Sequence, residues 1–167
     1  MALELTTGVS SSPTLADFTS PALIVAQLSA KEAAGVISEL SRRLQAEGLL
    51  TDVLPFYHAA LNQELMFNSA QVCGMAFPHA RLSGIRRLQF ALGRAKQPIN
   101  WGPKGSWPVE FVFLLAVPPS DGAQYLRLLA SLARLGKESD LLEALRTAPD
   151  SAGMFAALER VAVRQTG

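Results

Sequence analysis

The chain has a single cysteine, Cys73, in 167 residues. One thiol cannot close an internal disulfide, and this usage fits a reducing, cytoplasmic setting. Long apolar runs are missing too. The strongest, from Phe111 to Val117, stops at Pro118, whereas a membrane helix needs about 20 residues. No basic-then-apolar leader opens the chain; Glu4 comes early, and residues 1–20 are rich in Ser and Thr. Charge is scarce and balanced: 15 basic residues face 14 acidic ones, for a net +1. That balance argues against a dedicated nucleic-acid binder or a polybasic membrane module. Walker loops, dinucleotide glycine fingerprints and nucleophile elbows are absent. His58, His79 and Cys73 lack zinc-ligand spacing, so no metal site is expected.

What is present suits one globular domain. With 49% hydrophobic residues, a chain of this length buries a sizeable core without staples. The expected organisation is a flexible N-terminal tail over 1–14 and a single domain over 15–167. Residues 22–28 (ALIVAQL) read as a short buried strand. Ser29-Ala30-Lys31-Glu32 has the form of a capping box. Ala33, Val36, Ile37, Leu40 and Leu44 then recur at helical spacing, up to a left-handed cap at Gly48. A second helix is expected from Thr51 or Asp52 to about Met66, with Pro55 tolerated in its first turn.

Residues 67–73 read as loop and 74–80 (GMAFPHA) as a short extended segment, with Pro78 biasing Phe77 toward extended backbone. A strand over 88–92, a loop over 96–107 and a central strand over 109–117 follow. Helices are expected over 123–135, 139–146 and 151–163. The pattern predicts an α/β layered fold, a mixed sheet flanked by helices.

Between Leu65 and Val109 lie six basic residues, Arg81, Arg86, Arg87, Arg94, Lys96 and Lys104, and no acidic one. Such a stretch reads either as ordinary solvated surface or as a positive face attracting phosphate or an acidic partner. His58 sits within a helix, where a lone histidine is usually structural or exposed. His79 follows Pro78 at a strand end beside a loop, where a ring nitrogen can face solvent. Cys73 is expected to be buried and inert. Trp101 and Trp107 flank a Gly/Pro loop and are expected to pack over the sheet edge.

Gly74-Met75-Ala76-Phe77-Pro78-His79-Ala80-Arg81 resembles the phosphorylation motif of EIIA domains of the bacterial phosphoenolpyruvate-dependent phosphotransferase system, of the fructose/mannitol type that includes nitrogen-regulatory EIIA proteins. The likeness runs from about Leu15 to Val163. It takes in the helix up to Gly48, Leu61-Asn62-Gln63-Glu64 where the family has an Arg-Glu pair, Pro98-Ile99-Asn100-Trp101, the 108–118 strand and Leu126-Arg127-Leu128-Leu129-Ala130.

The resemblance implies that His79 takes a phosphoryl group from an HPr-type phosphocarrier. The group then passes to an EIIB domain in transport systems, or its presence controls a regulatory target protein in the nitrogen-regulatory branch. No separate cofactor is implied beyond the covalent phosphoryl group. Arg81, two positions on, shares a strand face with His79 and is expected to bind phosphate. The resemblance also marks Gln63, Tyr125 and Ser69 as site residues, and all three depart from the family pattern. Gln63 replaces an arginine, keeping two donors and losing the charge. Tyr125 replaces a second histidine and can still donate one hydrogen bond. Ser69 stands for a threonine and keeps the hydroxyl. Three functions follow: a phosphoryl-accepting regulator, a binding module on the same fold without efficient transfer, and a sugar-transport EIIA component.

Overall fold

The computed structural model describes residues 12–71, 73–102 and 107–164. Five strands form one mixed sheet: β1 (Ile24–Val25), β2 (Met75–Ala76), β3 (His79–Arg81), β4 (Gln89–Trp101) and β5 (Trp107–Val117). Strand β5 is central. It pairs antiparallel with β4 on one side and parallel with β2 and β3 on the other, and β1 runs parallel to β4. Among the described residues, no helix is long and apolar enough to cross a membrane.

Strand β5 is apolar on both faces because each face closes a core. Phe111, Phe113, Leu115 and Val117 pack with Leu128, Leu132 and Leu135 of α3 (Gly122–Leu135), with Leu145 of α4 (Ser139–Thr147) and with Met154 and Leu158 of α5 (Ser151–Leu158). Val112, Leu114 and Ala116 pack on the other side. Their partners are Val36, Ile37, Leu40 and Leu44 of α1 (Ala33–Ala46), and Phe56 and Ala60 of α2 (Val53–Met66). This is the layered α/β architecture expected from the alternation of elements.

Local signals account for most boundaries. Asp52 caps α2, accepting from the Leu54 N–H at 3.2 Å. Gly48, at φ 77°, closes α1 with the Leu49 N–H bonded back to the Leu44 carbonyl at 2.9 Å. The capping box at Ser29 does not form. Helix α1 starts only at Ala33, and the Ser29 and Ala30 N–H groups donate instead to the Glu39 carboxylate at 3.0–3.2 Å. The Glu39 carboxylate thus ties down the segment before the helix, and the N-cap residue Glu32 makes no side-chain capping bond.

Three other expectations are corrected. Only Ile24 and Val25 of the 22–28 segment are strand, because Pro21–Leu23 winds into a 3-10 turn. The stretch from Lys96, expected as loop, is strand as far as Trp101. A bulge absorbs the irregularity: from Arg94 to Ile99 on β4, the partner moves only from Phe111 to Val109. Pro98 therefore sits where no regular ladder bond is needed. Helix α5 ends at Leu158 rather than near 163. Beyond it the backbone turns to the other chain end: Leu15 N–H donates to the Val161 carbonyl and Val163 N–H to the Pro13 carbonyl. Residues 1–11 of the expected tail lie outside the described residues.

The basic stretch is not one positive face. Arg94 donates to the carbonyls of Ala26, Leu145 and Ala148 at 2.7–2.8 Å, joining β1 and the end of α4. Arg81, the Arg86–Arg87 pair and Lys96 line three different depressions, and Lys104 lies outside the described residues. Cys73 is exposed rather than buried. Trp101 is fully buried and Trp107 is exposed.

Candidate functional site

The edge of the sheet beside β5 is broken at one point. Strand β2 ends at Ala76 and β3 starts at His79, with Phe77 and Pro78 between. Proline lacks the N–H that an unbroken ladder would use, and it holds Phe77 extended. The chain is tied down on both sides of the break. Phe77 N–H donates to Ser69 Oγ at 2.8 Å, and the Pro78 carbonyl accepts from Leu115 N–H at 2.9 Å. His79 then pairs in register with Leu115 and Arg81 with Val117, so the two side chains share a face.

That face opens into a cavity of about 270 Å³ lined by Ala59, Gln63, His79, Ala80, Arg81, Val117 and Tyr125. Helix α2 supplies Gln63 and α3 supplies Tyr125. The site therefore lies where one helix from each core layer meets the sheet edge. The His79 and Tyr125 rings are 5.4 Å apart between centroids, inclined at 43°. The Arg81 guanidinium carbon stands 5.9 Å from the centre of the Tyr125 ring, a cation–π distance. Burial pushes the Tyr125 hydroxyl above the ordinary tyrosine range, and the Arg81 cation partly offsets this. Tyr125 is thus a neutral donor near pH 7.

His79 Nδ1 faces the Phe77 carbonyl at 3.4 Å. A carbonyl only accepts, so this contact favours the tautomer with hydrogen on Nδ1 and the lone pair on Nε2. Four of the residues marked in the sequence, Gln63, His79, Arg81 and Tyr125, line one cavity. Ser69 does not line it. Its hydroxyl lies behind, accepting from Phe77 and donating to Glu64 Oε1 at 2.9 Å.

Glu64 is the member of the site that residue-by-residue reading passes over. It is buried, and its Oε1 accepts from Ser69 N–H at 2.8 Å and from Trp101 Nε1–H at 2.6 Å as well as from the Ser69 hydroxyl. Its place in the Leu61–Glu64 stretch was visible; the indole that meets it, 37 positions on, was not. His58 is exposed on α2, its ring tilted 56° to that of Tyr57, and it is not part of the cavity lining. Among the described residues, no group of three or more His, Cys, Asp and Glu side chains is arranged to hold a metal ion.

An imidazole with a free lone pair, a neighbouring guanidinium and a phenol donor around a small open cavity suit an anionic, tetrahedral group. Residues 17–161 match the family model of the phosphoenolpyruvate-dependent sugar phosphotransferase system, EIIA 2, and the chain belongs to that family. It is 27% identical over 144 residues to a nitrogen regulatory protein of Bradyrhizobium diazoefficiens, covering 86% of this chain and 94% of that one. The fold is similar to that of the nitrogen regulatory protein IIA-Ntr of Neisseria meningitidis, with a TM-score of 0.74 at 23% identity over 86% of this chain and 98% of the other. It is also similar to IIA mannitol of Escherichia coli, with a TM-score of 0.70 at 13% identity over 83% and 97% of the two chains.

Proposed function

We propose that this protein accepts a phosphoryl group on His79 from an HPr-type phosphocarrier and that its phosphorylation state governs binding to a regulatory target protein. The observation that carries the reading is the orientation of His79, with Nδ1 toward the Phe77 carbonyl and the ring at an open cavity. In the step, the Nε2 lone pair forms a bond to phosphorus. The bond from phosphorus to the donor breaks, and its electron pair stays with the donor. Nδ1–H keeps its carbonyl throughout, so no proton need leave the ring. Phosphoryl transfer relies on positioning and on donors around the equatorial oxygens. Arg81, Tyr125 and Gln63 are the groups within the cavity lining able to supply them. The regulatory role draws support from the match that spans 94% of the Bradyrhizobium diazoefficiens nitrogen regulatory protein.

One observation favours a second reading, a binding module without efficient transfer. Gln63 and Tyr125 line the cavity where the resemblance implies an arginine and a histidine. Transfer onward to an EIIB domain, as in sugar transport, would suffer most from these two replacements.

The test is incubation with phosphoenolpyruvate, enzyme I and an HPr-type carrier, followed by intact-protein mass spectrometry. A gain of one acid-labile, base-stable phosphoryl group is expected, and His79→Ala should abolish it. An unchanged mass with an active carrier would overturn the reading in favour of the binding module.

A further inference from the structure

Behind the His79 cavity, a file of hydrogen bonds leads inward to the core. Trp101 Nε1–H donates to Glu64 Oε1 at 2.6 Å, and the Ser69 hydroxyl and N–H donate to the same oxygen at 2.9 and 2.8 Å. The Ser69 hydroxyl in turn accepts from Phe77 N–H at 2.8 Å, and the Phe77 carbonyl faces His79 Nδ1 at 3.4 Å. Each direction is set by chemistry. An indole or peptide N–H can only donate, so Glu64 Oε1 is the acceptor throughout. With Phe77 N–H on its lone pair, the Ser69 hydroxyl has its own proton free for Glu64.

The arrangement is a specific way to hold a loop. Glu64 and Trp101 are both buried, and among the described residues Glu64 forms no ion pair. A buried carboxylate is expensive unless hydrogen-bonded, and here three donors converge on Glu64 Oε1. What these bonds add is direction. Ser69 fixes the Phe77 N–H, Pro78 holds Phe77 extended, and Leu115 fixes the Pro78 carbonyl. The Phe77 carbonyl then points one way, toward the imidazole.

We propose that Trp101 and Glu64 are positioning residues for His79, acting through Ser69 and the Phe77 backbone to hold the ring with Nε2 free. The inference rests on the reading of His79 as phosphoacceptor, but its first readout does not need phosphorylation. That readout is the tautomer of His79, measured by nitrogen NMR of the full chain labelled at histidine. The variants are Trp101→Phe, which keeps an aromatic ring and removes the N–H, and Ser69→Ala and Ser69→Thr, which remove and keep the hydroxyl. Trp107→Phe, at the exposed indole, is the control.

In the parent chain the neutral ring should carry its hydrogen on Nδ1. Trp101→Phe and Ser69→Ala should shift His79 toward a mixture of tautomers and slow phosphorylation by an HPr-type carrier roughly tenfold to a hundredfold, as small misplacements of a reacting group do. Ser69→Thr should restore both, and Trp107→Phe should change neither. Parent tautomer and parent rate in folded Trp101→Phe and Ser69→Ala would overturn the proposal. So would an Nε2–H ring in the parent chain. If Trp101→Phe does not fold, the Ser69 pair decides on the same two readouts. Failure of the parent chain to take up phosphate would instead sink the phosphoacceptor reading, while the tautomer series still decides the positioning role.

Discussion

Replacing Gln63 by arginine should accelerate phosphorylation of His79. Gln63 and His79 line the same cavity of about 270 Å³. For a guanidinium at 63 facing a phosphoryl group on His79 across this cavity, a separation on the order of 6 Å is taken. The cavity is open to water, and an effective dielectric constant of about 40–80 then applies. Coulomb's law gives about 0.7–1.4 kcal/mol per unit of phosphoryl charge, a roughly three- to tenfold gain in rate. Gln63→Glu should slow the reaction by a similar factor. The assay is single-turnover transfer from phosphorylated carrier, followed by intact mass at low salt and again near 1 M salt. At the higher salt the Debye length falls to about 3 Å, and both effects should shrink. If neither Gln63→Arg nor Gln63→Glu changes the low-salt rate, the phosphoryl group does not occupy this cavity, and the assignment of Gln63 fails. Tyr125→His added to Gln63→Arg should raise the rate further.

Further outcomes follow from the geometry. In a spectrophotometric titration, the Tyr125 phenol should ionise above the ordinary tyrosine value of about 10, identified by difference from Tyr125→Phe. Arg81→Ala should move it further up, since the Arg81 cation is what lowers it; a downward move would refute the pairing. The linked stability has a definite sign. The folded state holds this proton more tightly, so the contribution is intact below about pH 10 and is lost as pH rises through the folded value. Gly93→Ala should destabilise the chain by about 1–3 kcal/mol, as overpacking does. A methyl there would meet Leu28 Cδ2 at 2.5 Å and Cγ at 2.9 Å. Leu28→Ala should be less harmful in the Gly93→Ala background than alone, and strict additivity in urea denaturation would contradict this.

The parts of the fold legible in the sequence are those fixed by neighbours in the chain. Asp52 before Val53, Gly48 after Ala46, and the apolar run of β5 each act within a turn or a strand. Reading failed where distant groups decided. Ser29 had a local partner in Glu32, yet Glu39 takes its N–H together with that of Ala30. The stretch from Lys96 carries turn-forming residues, yet pairing with β5 draws it into strand β4 through a bulge. The last helix lost residues 159–163 because the backbone there pairs with the beginning of the domain. The site divides in the same way. Pro78-His79-Ala80-Arg81 is contiguous, so a strand break followed by two side chains on one face could be read directly. The bonds among Trp101, Glu64 and Ser69 join residues from β4, α2 and a loop, and no periodicity encodes them.

The bridge between Thr14 and Ala162 also bears on how the chain could be reordered. The two ends of the described domain lie side by side, joined by the Leu15–Val161 and Val163–Pro13 hydrogen bonds, so a linker of a few residues from Val163 to Pro13 would close the described domain into a ring. New ends could then be opened at the tight turn after α3, where Lys137 N–H bonds to the Arg134 carbonyl. None of these residues lines the His79 cavity. A circular permutant cut there should keep the chemistry of that cavity while moving α4 and α5 to the start of the chain, which tests whether they must be made last.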